Sequence, residues 1–146
     1  MMHNHRQPNT SYIRERLLEI QGGYPIVEGL MLVSRGGFVL ASTFNRDDNV
    51  SRLAAVTRTM FLLSEDVCRE MGRGEMRDVH LTYRRGHGGD DNAPSRVILK
   101  PVNDETMLVM VLHSPLGGTQ SMQETRFIAD VERMLAFIAH RITAEA

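Results

Sequence analysis

The sequence predicts a single α+β domain, a sandwich in which a five-stranded antiparallel sheet packs against one long middle helix and two terminal helices. Its 146 residues are enough for one hydrophobic core without disulfides. Apolar runs of strand length occur in two groups, joined by short polar or glycine-rich connections. Three stretches with helical periodicity separate and flank these groups. The predicted order is therefore α-β-β-α-β-β-β-α, with no internal repeat.

A short helix over residues 12–21 opens the domain. Its apolar side chains recur at mostly helical spacing, and Gly22-Gly23 supplies a stop signal. Residues 1–11 are polar and have no hydrophobic period, so we expect a flexible leader there. The folded domain is then expected over residues 12–143.

A hairpin and the longest helix follow. Apolar runs over residues 26–34 and 38–43 flank Arg35-Gly36-Gly37, where glycine can supply the positive φ of a tight connection. From residue 50 to 71 neither glycine nor proline interrupts a helix-compatible stretch. These segments predict two antiparallel strands and a middle helix of about six turns.

Three further strands and a closing helix complete the prediction. Residues 76–84 alternate between apolar and polar side chains, and the runs 96–102 and 106–113 read as a second hairpin. The glycine-rich stretch 86–95 between them is typical of a turn-rich loop. Apolar residues at helical spacing between 127 and 142 predict the final helix.

The middle helix carries two stripes of side chains. We expect the broad apolar stripe to lie on the sheet, and it comprises Leu53, Val56, Met60, Leu63, Ser64, Val67 and Met71. The opposite stripe combines small, apolar and charged residues, which favours an interface with a second copy or another partner over a merely solvated face. We call it the outer stripe, and its residues are Arg52, Ala55, Thr59, Leu62, Asp66 and Arg69.

Charge and cysteine content exclude several classes of protein. The net charge is −1 with both signs mixed along the chain, which argues against nucleic acid as a partner. No apolar run is long enough for direct membrane insertion. The single cysteine, Cys68, cannot form an intrachain disulfide, so a cytoplasmic location is expected.

The usual signatures of an enzyme are absent from the sequence. There is no phosphate-binding loop of the form G-x-x-x-x-G-K-[ST], no G-x-S-x-G, no H-E-x-x-H and no C-x-x-C. Cys68 falls in the C-terminal part of the middle helix, where the helix dipole disfavours a thiolate, so it is expected to be a semi-buried structural residue. His87 lies in the glycine-rich loop, which more simply serves as a flexible turn than as a cation site. We therefore predict no catalytic residues, no metal and no cofactor.

Several segments resemble the roadblock family, the dynein light-chain roadblock domain. They are Tyr24-Pro25-Ile26-Val27-Glu28-Gly29, Leu32-Val33-Ser34-Arg35-Gly36-Gly37-Phe38-Val39-Leu40-Ala41-Ser42, Arg52-Leu53-Ala54-Ala55-Val56 and Gly72-Arg73-Gly74-Glu75. The similarity covers roughly residues 12–142 and extends to the order of elements. Two departures are the turn Arg35-Gly36-Gly37, in place of a more usual acidic-glycine turn, and the long glycine-rich loop 86–95.

This resemblance implies a function as well as a fold. It implies a homodimer built around the middle helix and third strand, in which two sheets join into one. It also implies a noncatalytic regulator or scaffold for a Ras-like small GTPase, as in bacterial or archaeal roadblock proteins, with stimulation of GTP hydrolysis as one mode. The outer stripe is then the expected dimer or partner interface, and no catalytic arginine is assigned.

Two other functions compete with this hypothesis. A small-molecule-sensing module of PAS or GAF type would hold a ligand between sheet and helix, and stabilisation by a metabolite would reveal it. The candidate core, however, offers no cluster of polar groups to orient a ligand. An enzyme using His80, His113 or Cys68 would be revealed by an activity that a substitution abolishes.

Overall fold

The order of elements matches the sequence prediction, and the fold is α+β. The computed structural model describes residues 10–45, 49–72, 74–84, 94–113 and 122–145. The elements within them are α1 (Thr10–Gly22), β1 (Val27–Ser34), β2 (Val39–Ser42), α2 (Asn49–Met71), β3 (Val79–Arg84), β4 (Pro94–Asn103), β5 (Thr106–His113) and α3 (Met122–Glu145). The predicted leader (1–11) lies outside the described residues except for Thr10 and Ser11, which begin α1. Of the loop 86–95, only Pro94 and Ser95 are described, and they begin β4.

The sheet has the strand order β2-β1-β5-β4-β3, and every neighbouring pair is antiparallel. The central strands β1 and β5 pair along most of their length, from Val27 opposite Leu112 to Ser34 opposite Thr106. Strand β3 starts at Val79 rather than at residue 76. In the β3–β4 register, residue 77 would lie opposite Pro101, which has no N–H to donate to the ladder. Strands β2 and β3 form the two edges.

Alternation along the central strands divides the core into two layers. One layer packs against α1 and α3 and contains Leu30, Leu32, Leu108, Met110, Leu112 and Phe127. The other lies on the α2 side and contains Met31, Val33, Leu99, Met107 and Val109. Because successive side chains of a strand point to opposite faces, each buried strand supplies both layers. The result is a helix–sheet–helix sandwich with α2 alone on its side of the sheet among the described helices.

Polar contacts from Tyr24, Arg96 and Lys100 fasten α3 to the rest of the domain. The Tyr24 hydroxyl donates a hydrogen bond to the Asp130 carboxylate, and its ring packs edge-on against Phe127 with centroids 5.3 Å apart. That hydrogen bond raises the pKa of Tyr24 above its ordinary value, with burial as a second cause. Arg96 on β4 forms an ion pair with Glu124, in the first turn of α3, and the two side chains are only 17% and 11% exposed. These contacts fix the position of α3 over β4.

Helix α2 rests on the sheet by small side chains rather than by its most apolar side. Ala54 and Thr57 are its buried residues, with half-buried Phe61 on the same side. The Thr57 hydroxyl lies within hydrogen-bond distance of the carbonyls of Leu53 (2.7 Å) and Ala54 (3.1 Å), so its burial leaves no polar group unsatisfied. Small residues let the helix approach the strands closely.

The prediction that the broad apolar stripe lies on the sheet is therefore wrong for four of its members. Val56, Leu63, Val67 and Met71 are between 53% and 70% exposed. Leu53, Met60 and Ser64 are half-buried. A hydrophobic period identifies the most apolar side of a helix, but in this protein that side is rotated away from the sheet.

Candidate functional site

All six residues of the outer stripe lie on the side of α2 that faces away from the sheet. Five of them are exposed and Leu62 is half-buried. The helical period places the centre of this stripe about 140° around the helix from Ala54 and Thr57, the two buried residues of α2. The Thr59 hydroxyl donates to the carbonyl of Ala55 at 3.1 Å, one turn earlier in the helix. The stripe is thus a continuous surface along α2 in this fold.

The charges of this surface are distributed unevenly along the helix. In the C-terminal half, Asp66 forms an ion pair with Arg69, and Glu65 pairs with Arg35 of the β1–β2 turn at 3.4 Å. In the N-terminal half, neither Arg52 nor Arg58 has a carboxylate within ion-pair distance among the described residues. Among the described residues, the positive charge of the N-terminal half is therefore not neutralised by a carboxylate.

An apolar ridge runs beside the outer stripe. We use this name for Val56, Leu63, Val67 and Met71, which follow one another at spacings of seven, four and four residues. Half-buried Leu53 and Met60 lie at its base. A monomer seldom leaves such a row of large apolar side chains in water, so the ridge marks an interaction surface.

The edge strand β3 adds further exposed apolar surface on the same face of the sheet. Val79 belongs to the core layer on the α2 side, and by alternation Leu81 and Tyr83 point to that face as well. Both are exposed. The outer edge of β3 pairs with no other described strand. Helix α2 and β3 thus leave apolar side chains exposed on one face of the sheet, next to an open strand edge.

The β1–β2 turn packs against the opposite flank of α2. Gly37 has a φ of +88°, as the glycine-containing turn predicts. A Cβ at this position would lie 3.0 Å from Cδ of Arg58, so turn and helix are in close contact. Arg58 Nε donates a hydrogen bond to the carbonyl of Arg35 at 2.7 Å.

Two open clefts adjoin α2. One of about 560 Å³ lies at its N-terminal end and is lined by Phe44, Val50, Arg52, Leu53 and Val56, together with two asparagines. The other, of about 510 Å³, lies between the C-terminal half of α2 and the β4–β5 turn, and half-buried Cys68 is in its wall. Within the described ranges, no group of three or more His, Cys, Asp or Glu side chains is placed to hold a metal ion. None of the helices in that part of the chain combines the length and apolarity needed to cross a membrane.

Sequence reasoning identified α2 correctly but divided its faces differently from the structure. Among the described residues, the exposed large apolar side chains that it did not assign to a surface are the four of the ridge and Leu18, Phe38, Leu81, Tyr83 and Phe137. The sequence did indicate that the ridge could be exposed. Ala54, Thr57 and Phe61 also recur at helical spacing, about one third of a turn around the helix from the ridge, and they face the sheet. Ala54 and Thr57 are smaller and less apolar than the ridge residues, which hid that signal.

The comparisons with known proteins agree with this architecture. A search of curated proteins gives no match. Among solved structures, MglB of Myxococcus xanthus has a TM-score of 0.70 at 12% identity, covering 100% of this chain and 96% of that one. The gliding protein MglB of Thermus thermophilus has a TM-score of 0.62 at 17% identity, covering 96% and 95%.

A third structure, described as MglB with a tetrameric arrangement, has a TM-score of 0.68 at 15% identity, covering 94% of this chain and 92% of that one. At these identities the likeness concerns the fold. The model of the Roadblock/LC7 domain matches residues 13–112, which span α1 to the end of β5. The chain belongs to the Roadblock/LC7 family.

Proposed function

We propose that this protein is a noncatalytic, homodimeric regulator or scaffold that binds a Ras-like small GTPase. The observation that carries the proposal is the apolar ridge of α2 together with the open edge of β3. Family membership supplies the expected partner, because the roadblock resemblance implies association with a small GTPase. That a relative is described as tetrameric supports self-association.

The ridge has the pattern that a two-fold helix pair requires. If two copies of α2 pack antiparallel, Leu53 meets Met71 of the second copy and Val56 meets Val67. Met60 then meets Leu63, and a two-fold axis passes between these two positions. Every pair consists of apolar residues, so the surface is complementary to itself, as an isologous dimer demands.

Strand β3 suits the same dimer. Its free edge can pair antiparallel with β3 of a second copy, which would extend two five-stranded sheets into one of ten strands. Leu81 and Tyr83 would then be covered by the paired α2 helices, because they lie on the same face of the sheet. Pairing thus removes both an unpaired strand edge and an exposed apolar surface.

The outer stripe remains exposed when the ridges pair, so it is the surface we assign to the GTPase. A regulator of this kind need not insert a catalytic residue into the GTPase. It accelerates hydrolysis if it stabilises the transition state of phosphoryl transfer more than the ground state, for example by positioning the water-orienting residue of the GTPase itself. We expect the protein to have no GTPase activity of its own.

Two measurements test this function together. Light scattering on the purified chain is expected to give twice the monomer mass of 16.5 kDa. Binding and GTP turnover are then measured with the Ras-like GTPase encoded nearest to this gene. Binding with or without a change in turnover supports the proposal, whereas a monomeric mass or the lack of any complex refutes it.

A further inference from the structure

Phe38, in the β1–β2 turn, has an exposure that packing within one chain does not explain. Its side chain is 73% exposed, more than that of any other large apolar residue in the part of the chain that the structure describes. Packing of the two ridges would not cover it. The β1–β2 turn contacts α2 through Arg58 and Ala55, on the flank away from β3.

The backbone that carries Phe38 is held in place by several contacts. The Ser34 N–H donates to the Phe38 carbonyl at 2.8 Å, and the Phe38 N–H donates to the Ser34 hydroxyl at 3.1 Å. The bond from Arg58 to the Arg35 carbonyl ties the same turn to α2. The backbone of this turn is therefore already ordered before binding. A partner that binds Phe38 pays little entropy to order it, which favours affinity.

Two arginines lie on the side of α2 that contacts the β1–β2 turn. Arg52 and Arg58 flank Ala55 on α2, and neither has a carboxylate partner among the described residues. The other charged pairs of the surface, Asp66 with Arg69 and Glu65 with Arg35, neutralise each other within this chain. An exposed aromatic residue in a turn that contacts Arg58, with Arg52 less than two turns away on α2, has the composition of a binding hot spot.

We propose that Phe38, Arg52 and Arg58 anchor the GTPase, and that they do so through an apolar recess of the GTPase bordered by carboxylates. This inference rests on the proposed function and narrows it to the N-terminal half of the outer stripe plus the β1–β2 turn. The C-terminal half, with its internal ion pair, contributes less. A partner surface without carboxylates is disfavoured, because both arginines would then lie in the interface without an ion-pair partner.

The test is a binding series with the nearest-encoded Ras-like GTPase loaded with a non-hydrolysable GTP analogue. The variants are Phe38→Ser and Arg52→Glu. The matched controls are Leu18→Ser on α1 and Arg126→Glu on α3, both exposed and on the opposite side of the sheet. Light scattering accompanies each variant, and we expect all four to keep the wild-type mass.

Phe38→Ser is expected to weaken binding about 30-fold or more, the scale of a hot-spot residue. Arg52→Glu is expected to weaken binding about tenfold, with a smaller dependence on salt than the wild type shows. Both controls should stay within about twofold.

Three other outcomes would contradict the anchor, the proposed function or both. If the wild type binds and both variants bind equally well, the anchor is wrong and the proposed function stands. If the wild type binds no GTPase, the proposed function fails and the anchor fails with it. If Phe38→Ser changes the mass, Phe38 belongs to the dimer interface and the assignment to the GTPase is wrong.

Discussion

Replacing Leu63 by glutamate should abolish the dimer while leaving the monomer folded. Leu63 is 59% exposed and contributes little to the core of its own chain. Glutamate is a good helix former, so the change should not disrupt α2. In the proposed dimer, however, Leu63 packs beside the two-fold axis, and the substitution would bring two carboxylates into an apolar contact.

The size of the effect follows from the exposed fraction. Full burial of a leucine side chain is worth about 1.5–3 kcal/mol, so covering the exposed 59% contributes about 1–2 kcal/mol per copy. Two copies give about 2–4 kcal/mol, which corresponds to a dissociation constant about 30- to 700-fold higher. Desolvation of the two carboxylates adds to this loss.

The matched control is Leu62→Glu, the same substitution one residue away. Leu62 belongs to the outer stripe and points about 100° away from Leu63 around the helix. Sedimentation over a range of protein concentrations should give a monomer of 16.5 kDa for Leu63→Glu and a dimer for Leu62→Glu. Circular dichroism confirms that both variants are folded. A dimeric Leu63→Glu together with a monomeric Leu62→Glu would show that the outer stripe, not the ridge, forms the dimer.

Three further predictions concern the fold. Glu124→Ala should lower the free energy of unfolding, measured in urea, by about 3 kcal/mol, because the largely buried Arg96 loses its ion-pair partner. The double variant Glu124→Ala with Arg96→Met should recover most of this loss. Gly29→Ala should cost about 1–3 kcal/mol in the same assay, since its Cβ would lie 2.3 Å from the ring of Phe44; an unchanged stability would contradict this packing. Tyr24→Phe should reduce the loss in free energy of unfolding that the wild type shows at alkaline pH. The raised pKa of Tyr24 means that the unfolded chain loses this proton first, so the wild type loses stability as the pH rises above the ordinary value of 10.0; parallel curves for wild type and variant would refute it.

The elements were predictable because each one has a strong local signal. The hairpin is an example, since Gly37 adopts the positive φ that its turn requires. The end of β3 at Arg84 was predictable, but its start was not. The start depends on which residue lies opposite Pro101, and strand register is a tertiary property.

The candidate site was predictable only in part. The period of α2 placed the outer stripe on one face, and the structure keeps it there. Nothing local indicated that the β1–β2 turn would pack against Arg58, because Arg58 hydrogen-bonds to Arg35, 23 residues earlier in the sequence.

By itself, the sequence determined the fold class and the order of elements. These follow from periodicity, turn residues and composition, which act over a few neighbouring residues. Only the tertiary structure decided which side of α2 the sheet covers. A helix with two candidate faces is oriented by how closely it can approach the strands, and Ala54 and Thr57 allow the closer approach. The more apolar side is thereby left in solvent, where we propose that it meets a second copy.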